Sequence, residues 1–176
     1  IPAGQEAWVE IAYAAEPQMG LYFRTAADGT PAGDEHCWTQ GETHEARHWF
    51  PCFDAPNERS STEIVCRVPR GMTVVSNGRL TEEPSAQGKG LAAFHYLQEK
   101  SHPAYLICLV AGKLAKIEDR AGRVPLAFYT QPSLAASARR PLASSARPEL
   151  RRSRSCFRAL WSRVCAPSTS WAFAAV

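Results

Sequence analysis

An all-β body is predicted by three features of the sequence. Apolar residues recur at every second position in most segments, proline, glycine and asparagine punctuate those segments at short intervals, and only one stretch carries a helical signal. Each segment follows from its own pattern. Residues 8–14 alternate Val9, Ile11 and Tyr13 on one face, residues 20–24 are short and aromatic, and residues 62–68 alternate Ile64, Cys66 and Val68. Pro69, Arg70 and Gly71 separate that strand from one over residues 72–76, as in a hairpin, and Asn77-Gly78 is a turn dipeptide before Arg79 and Leu80. Residues 91–98, 104–114 and 124–130 supply three further strands. The helical turn falls within residues 43–50 and stops at Pro51, which lacks the N–H that a helix interior needs.

Length and charge narrow the class. A chain of 176 residues with 45% hydrophobic and 21% charged side chains suits one globular domain, two at most. No apolar run reaches the length of a transmembrane helix, so no membrane span is expected. The chain starts at Ile1, which implies processing or a fragment, and no compartment can be read from it. Residues 1–132 are mildly acidic, whereas residues 133–176 hold eight Arg against the single acid Glu149 and consist largely of Ala, Ser and Arg. This second segment reads as a low-complexity basic tail, disordered or the product of a shifted reading frame in a GC-rich gene. A nucleic-acid-binding arm is the functional alternative, because Arg neutralises phosphate, but charge runs more often simply face solvent.

Two side-chain patterns invite chemistry. Cysteines at 37, 52, 66, 108, 156 and 165 show no C-x-x-C spacing, so buried free thiols are expected, and the spacings fix no disulfide pairing. His44-Glu45-Ala46-Arg47-His48 matches H-E-x-x-H, in which two imidazoles on one helical face bind zinc and the glutamate acts as base. The flanks argue against a working site. Gly41 and Pro51 leave too short a helix, and the distal glutamate of the gluzincin pattern would fall on Arg67.

Three blocks then carry a family likeness: Trp38-Thr39-Gln40-Gly41-Glu42, Arg47-His48-Trp49-Phe50-Pro51-Cys52-Phe53-Asp54-Ala55-Pro56-Asn57-Glu58-Arg59, and Val75-Ser76-Asn77-Gly78, with Thr62-Glu63 and Val68-Pro69 between them. Together they resemble the N-terminal domain of the aminopeptidase N and leukotriene hydrolase family of zinc metallopeptidases. Pro103-Ala104-Tyr105-Leu106-Ile107 and Val110-Ala111-Gly112-Lys113 are similar to later strands of that domain. The likeness runs to Pro132 and ends where the composition changes. It implies a saddle-like β-sandwich that is incomplete at its start, with residues 1–132 as the domain and 133–176 as a non-homologous tail.

The likeness also implies a division of labour. Zinc belongs to the full-length family, held by a true H-E-x-x-H in a separate catalytic domain missing here, so His44 and His48 form a chance match and no metal is expected in this chain. Glu42 matches the acid that pairs with the free α-amine of a peptide, and Gln40 matches a residue lining the pocket for the first side chain. The expected partners are therefore a peptide with a free N-terminus and the missing catalytic domain, with nucleic acid unlikely, and the chain alone is expected to be inactive. The contrasting class is a non-enzymatic peptide- or nucleic-acid-binding β module with a basic tail. Arg47, Asp54 and Arg59 read as a structural ion-pair cluster, and Trp38, Trp49, Phe50, Phe53 and Tyr105 as packing.

Overall fold

The computed structural model describes residues 4–82, 84–87, 90–121, 123–138 and 173–175, the last three and 85–87 by their backbone. The predicted tail falls largely outside these residues. Eleven strands follow one another among the described residues: β1 (Leu21–Arg24), β2 (His36–Thr39), β3 (Ser60–Pro69), β4 (Thr73–Ser76), β5 (Arg79–Leu80), β6 (Ser85–Gln87), β7 (Leu91–His102), β8 (Leu109–Gly112), β9 (Ala115–Ala121), β10 (Val124–Thr130) and β11 (Phe173–Ala175). The body is all-β, and its sheets do not close into a barrel.

Three antiparallel sheets result. The first runs β1-β2-β8-β4, the second β3-β7-β5 with β6 also on β7, and the third β11-β10-β9. Register gives the first sheet two apolar faces. Tyr22, Trp38, Val110 and Val75 align across its four strands, and so do their neighbours Phe23, Cys37, Ala111 and Val74. Successive residues of a strand face opposite ways, so the two rows enter different cores. Val74 and Ala111 pack with Val68 of β3 and Phe94 of β7, which seals the first sheet on the second. Trp38, Val75 and Val110 form the other core, where Tyr129 brings in β10. The Tyr96 hydroxyl crosses the sandwich to donate to the Val74 carbonyl at 2.8 Å, and burial pushes it up to about 12.

Most predicted strands are present, with four differences. Residues 8–14 form no strand: they pair with none of the described strands, and Trp8, Val9, Ile11 and Tyr13 are exposed. Alternation equips a segment with two faces, but a strand also needs an edge that satisfies its backbone groups. Second, β3 and β4 do not make a hairpin. Pro69, Arg70 and Gly71 carry the chain from the second sheet to the first, where β4 pairs with β8, while β3 pairs with β7. Third, the predicted strand over residues 104–114 breaks in two, with a 3-10 turn at Ala104–Leu106 before β8. Tyr105 is accordingly half-buried on that turn rather than packed in a strand. Fourth, β2, β6, β9 and β11 were not legible as strands.

Four cysteines, Cys37, Cys52, Cys66 and Cys108, are free thiols. Burial raises all of them above the ordinary thiol range, which disfavours the reactive thiolate. Cys156 and Cys165 lie outside the described residues. After β10 the chain turns back on the first sheet, where the Ser133 hydroxyl and amide donate to the Asp34 carboxylate. Beyond this, Phe173–Ala175 run antiparallel along β10.

Candidate functional site

The site begins where β2 ends. Thr39 is buried, and its hydroxyl accepts from the Leu109 amide at 2.9 Å and donates to the Ile107 carbonyl at 3.3 Å. Asn77 holds the same neighbouring stretch from the other side. Its amide donates to the Leu106 carbonyl at 3.1 Å while its side-chain oxygen accepts from the Cys108 amide. The chain therefore leaves the sheet at a fixed point. Gly41 then lies directly on the Tyr105 backbone, so close that an added Cβ would sit 2.5 Å from the Tyr105 carbonyl oxygen. Only a residue without a side chain allows that approach.

Gln40 and Glu42 flank this contact and both are exposed. The Gln40 amide donates to the Gly20 carbonyl at 3.0 Å, and the Gly41 carbonyl accepts from the Glu45 amide at 2.9 Å. Glu45 faces back towards β1. One of its carboxylate oxygens accepts from the Tyr22 hydroxyl at 2.7 Å and from the Gly20 amide at 3.2 Å. That hydroxyl is raised above its ordinary value, first by donating to Glu45 and then by burial. Gly20 has φ +79°, and a Cβ there would meet the Glu45 carbonyl oxygen at 2.1 Å and the Trp49 ring at 3.0 Å.

The helical segment is a single 3-10 turn, Ala46–His48, with Ala46 buried beneath it. His44 precedes the turn, His48 ends it, and both are exposed. A zinc site needs the two imidazoles on one rigid α-helical face and a free carboxylate as base. Here the helix is too short, and Glu45 is committed to Tyr22 and Gly20. Among the described residues no group of three or more His, Cys, Asp or Glu side chains could hold a metal ion. The residues present therefore do not fit zinc.

Arg47 and Asp54 form the expected pair. The Arg47 backbone amide and Nε donate to one Asp54 carboxylate oxygen at 3.2 and 3.1 Å, and Nη2 donates to the Asp54 carbonyl at 3.0 Å. Asp54 is buried, and these donors satisfy its carboxylate and carbonyl oxygens. Arg59 lies exposed outside the pair. Trp38 is buried, and Trp49 and Phe50 are half-buried with rings 4.6 Å apart. Phe53 is not packing: it is 85% exposed. Sequence reasoning missed Gly20, Tyr22 and Glu45 as parts of the site. Only the pairing of β1 with β2 brings the first two beside the third, and no local pattern announces it.

Comparison with known proteins bears on the family and the fold. The family model described as the peptidase M1 N-terminal domain matches residues 2–106. The alanine/arginine aminopeptidase of Saccharomyces cerevisiae is 27% identical over 133 residues, which cover 73% of this chain and 15% of that protein. A leucyl aminopeptidase of Saccharolobus solfataricus is 31% identical over 107 residues, covering 61% of this chain and 13% of the relative. The chain thus matches only a small part of the length of these relatives. Among solved structures, Legionella pneumophila aminopeptidase A in complex with aspartic acid superposes with a TM-score of 0.56 at 26% identity, over 67% of this chain and 14% of that one. An M1 zinc metallopeptidase of Deinococcus radiodurans gives a TM-score of 0.44 at 21% identity, over 52% and 21%. The curated relatives named above are aminopeptidases, and among the described residues of this chain no helix is long and apolar enough to cross a membrane. With its family model covering more than half of its length, the chain belongs to the peptidase M1 N-terminal domain family.

Proposed function

We propose that this chain is the substrate-reading part of a zinc-dependent aminopeptidase, in which Glu42 pairs with the free α-ammonium of a peptide and Gln40 contacts its first side chain. The observation that carries this reading is the placement of Glu42. Its carboxylate is exposed on a loop that is fixed to the sheet immediately upstream, by Thr39 and by the contact of Gly41 with Tyr105. A fixed carboxylate discriminates between a charged amine and an acylated one by the charge-assisted hydrogen bond that only the first can make. In this reading residues 1–132 form the reading domain, and of residues 133–176 Ser133 and Phe173–Ala175 rest against it. In the same reading the zinc chemistry lies outside residues 1–176, and these residues alone hydrolyse no aminoacyl reporter.

The test is a titration of the 176-residue chain, followed by NMR, with alanyl-alanine amide and its N-acetyl form. An exposed pair contributes up to about 1 kcal/mol, so the wild type should prefer the free amine by up to about fivefold. Glu42→Ala should abolish that preference. Equal affinities for the two peptides in the wild type, or an undiminished preference in Glu42→Ala, would remove the reading.

A further inference from the structure

The glutamate of the apparent H-E-x-x-H sequence has no metal to serve, yet its surroundings give it a task. Three hydrogen bonds close a ring about the recognition loop. The Gly20 carbonyl accepts from the Gln40 amide at 3.0 Å, the Gly41 carbonyl accepts from the Glu45 amide at 2.9 Å, and the Glu45 carboxylate accepts from the Gly20 amide at 3.2 Å. Glu42 lies in the turn that this ring closes, between the anchored residues 41 and 45. The ring is fixed to the sheet through Tyr22, which donates to the same Glu45 oxygen at 2.7 Å, pairs with Trp38 across β1 and β2, and stacks on its ring at 5.5 Å. Gly20 completes the fit, since any Cβ there would collide with the Glu45 backbone.

We propose that Glu45 is a positioning residue that holds Glu42 for amine recognition by tying the far end of the recognition loop to β1. The inference rests on the Glu42 reading above. Upstream, Glu42 is fixed by Gly41 on Tyr105; downstream, the Glu45 carboxylate makes the first side-chain hydrogen bonds back to Gly20 and β1, and those of Arg47 to Asp54 follow two residues later. Losing the Glu45 carboxylate widens the positions that the Glu42 carboxylate samples, and a charge spread over more positions selects less well for one bound geometry.

The experiment compares Glu45→Ala, Glu45→Gln, Tyr22→Phe and Glu42→Ala with the wild-type chain. Each is titrated with alanyl-alanine amide and its N-acetyl form, and the NMR shifts of the Gly41 and Glu42 amides are followed. The affinity ratio for the two peptides cancels any change in folded fraction, so a merely stabilising residue leaves it unmoved. Glu45→Ala should shift both amides and lower an up to fivefold preference below twofold. Glu45→Gln keeps an acceptor oxygen for Tyr22 and Gly20 and should retain the wild-type ratio within a factor of two. Tyr22→Phe, which spares Glu45 itself, should shift the same amides and lower the ratio to an intermediate value. If Glu42→Ala abolishes the preference while Glu45→Ala leaves it intact, the positioning role is overturned and the Glu42 reading stands. If Glu45→Gln loses as much as Glu45→Ala, Glu45 acts by its charge and not by position, which also overturns the proposal. A wild type without preference removes both ideas together.

Discussion

Phe94→Ala is expected to lower the unfolding free energy by about 3–5 kcal/mol, the range for deleting a buried aromatic ring from a packed core. Phe94 is 7% exposed and sits in the first half of β7, opposite Cys66, with Val68, Val74 and Ala111 around it. Its ring fills space between the first and second sheets, and neither sheet can close over the gap without breaking its own ladder. Small domains are stable by about 5–15 kcal/mol, so this one change consumes a large share of the total. Urea unfolding measured by far-UV circular dichroism reads the loss directly. Val65→Ala, on the outer face of β3 and 49% exposed, is the reference and should cost less than about 1 kcal/mol. Equal losses at the two positions would show that the two sheets do not pack through Phe94.

Gly78→Ala should cost about 2–4 kcal/mol, against about 1 kcal/mol for Gly71→Ala. The two glycines share a left-handed backbone, with φ +81° and +90°. What differs is the space around them. A Cβ at Gly78 would lie 2.1 Å from the Leu97 carbonyl oxygen, whereas nothing lies within 4 Å of one at Gly71. The first substitution must therefore displace β7 backbone as well as adopt an unfavourable φ, and the second pays only for φ. Thermal unfolding of the pair separates these contributions, and similar melting temperatures would mean that the chain yields freely at Gly78.

The Asn77-Gly78 dipeptide also shows where sequence reading stops. Its turn chemistry was legible, since asparagine and glycine tolerate the left-handed region. Its use was not: β4 belongs to the first sheet and β5 to the second, so the dipeptide carries the chain between layers. Periodicity reports that a segment has two faces and says nothing about which edge will accept it. Residues 8–14 alternate well and pair with none of the described strands, whereas β9 holds only Ile117 as a large buried apolar residue among charges and pairs along its whole length with β10. Glu42 and Gln40 were reached through the block of residues around them. The partnership of Gly20, Tyr22 and Glu45 depends on strand register, which no short window of sequence contains.

The first sheet is lined on one side by Val74 and Ala111 and on the other by Trp38, Val75 and Val110. A slip of one residue in β2 would exchange Cys37 and Trp38 between the two sides and put an indole where a thiol fits. The middle layer thus acts as a parity check on the chain: an insertion or deletion within its short strands misassigns both interiors at once, so loops, and not these strands, are where changes in length can accumulate.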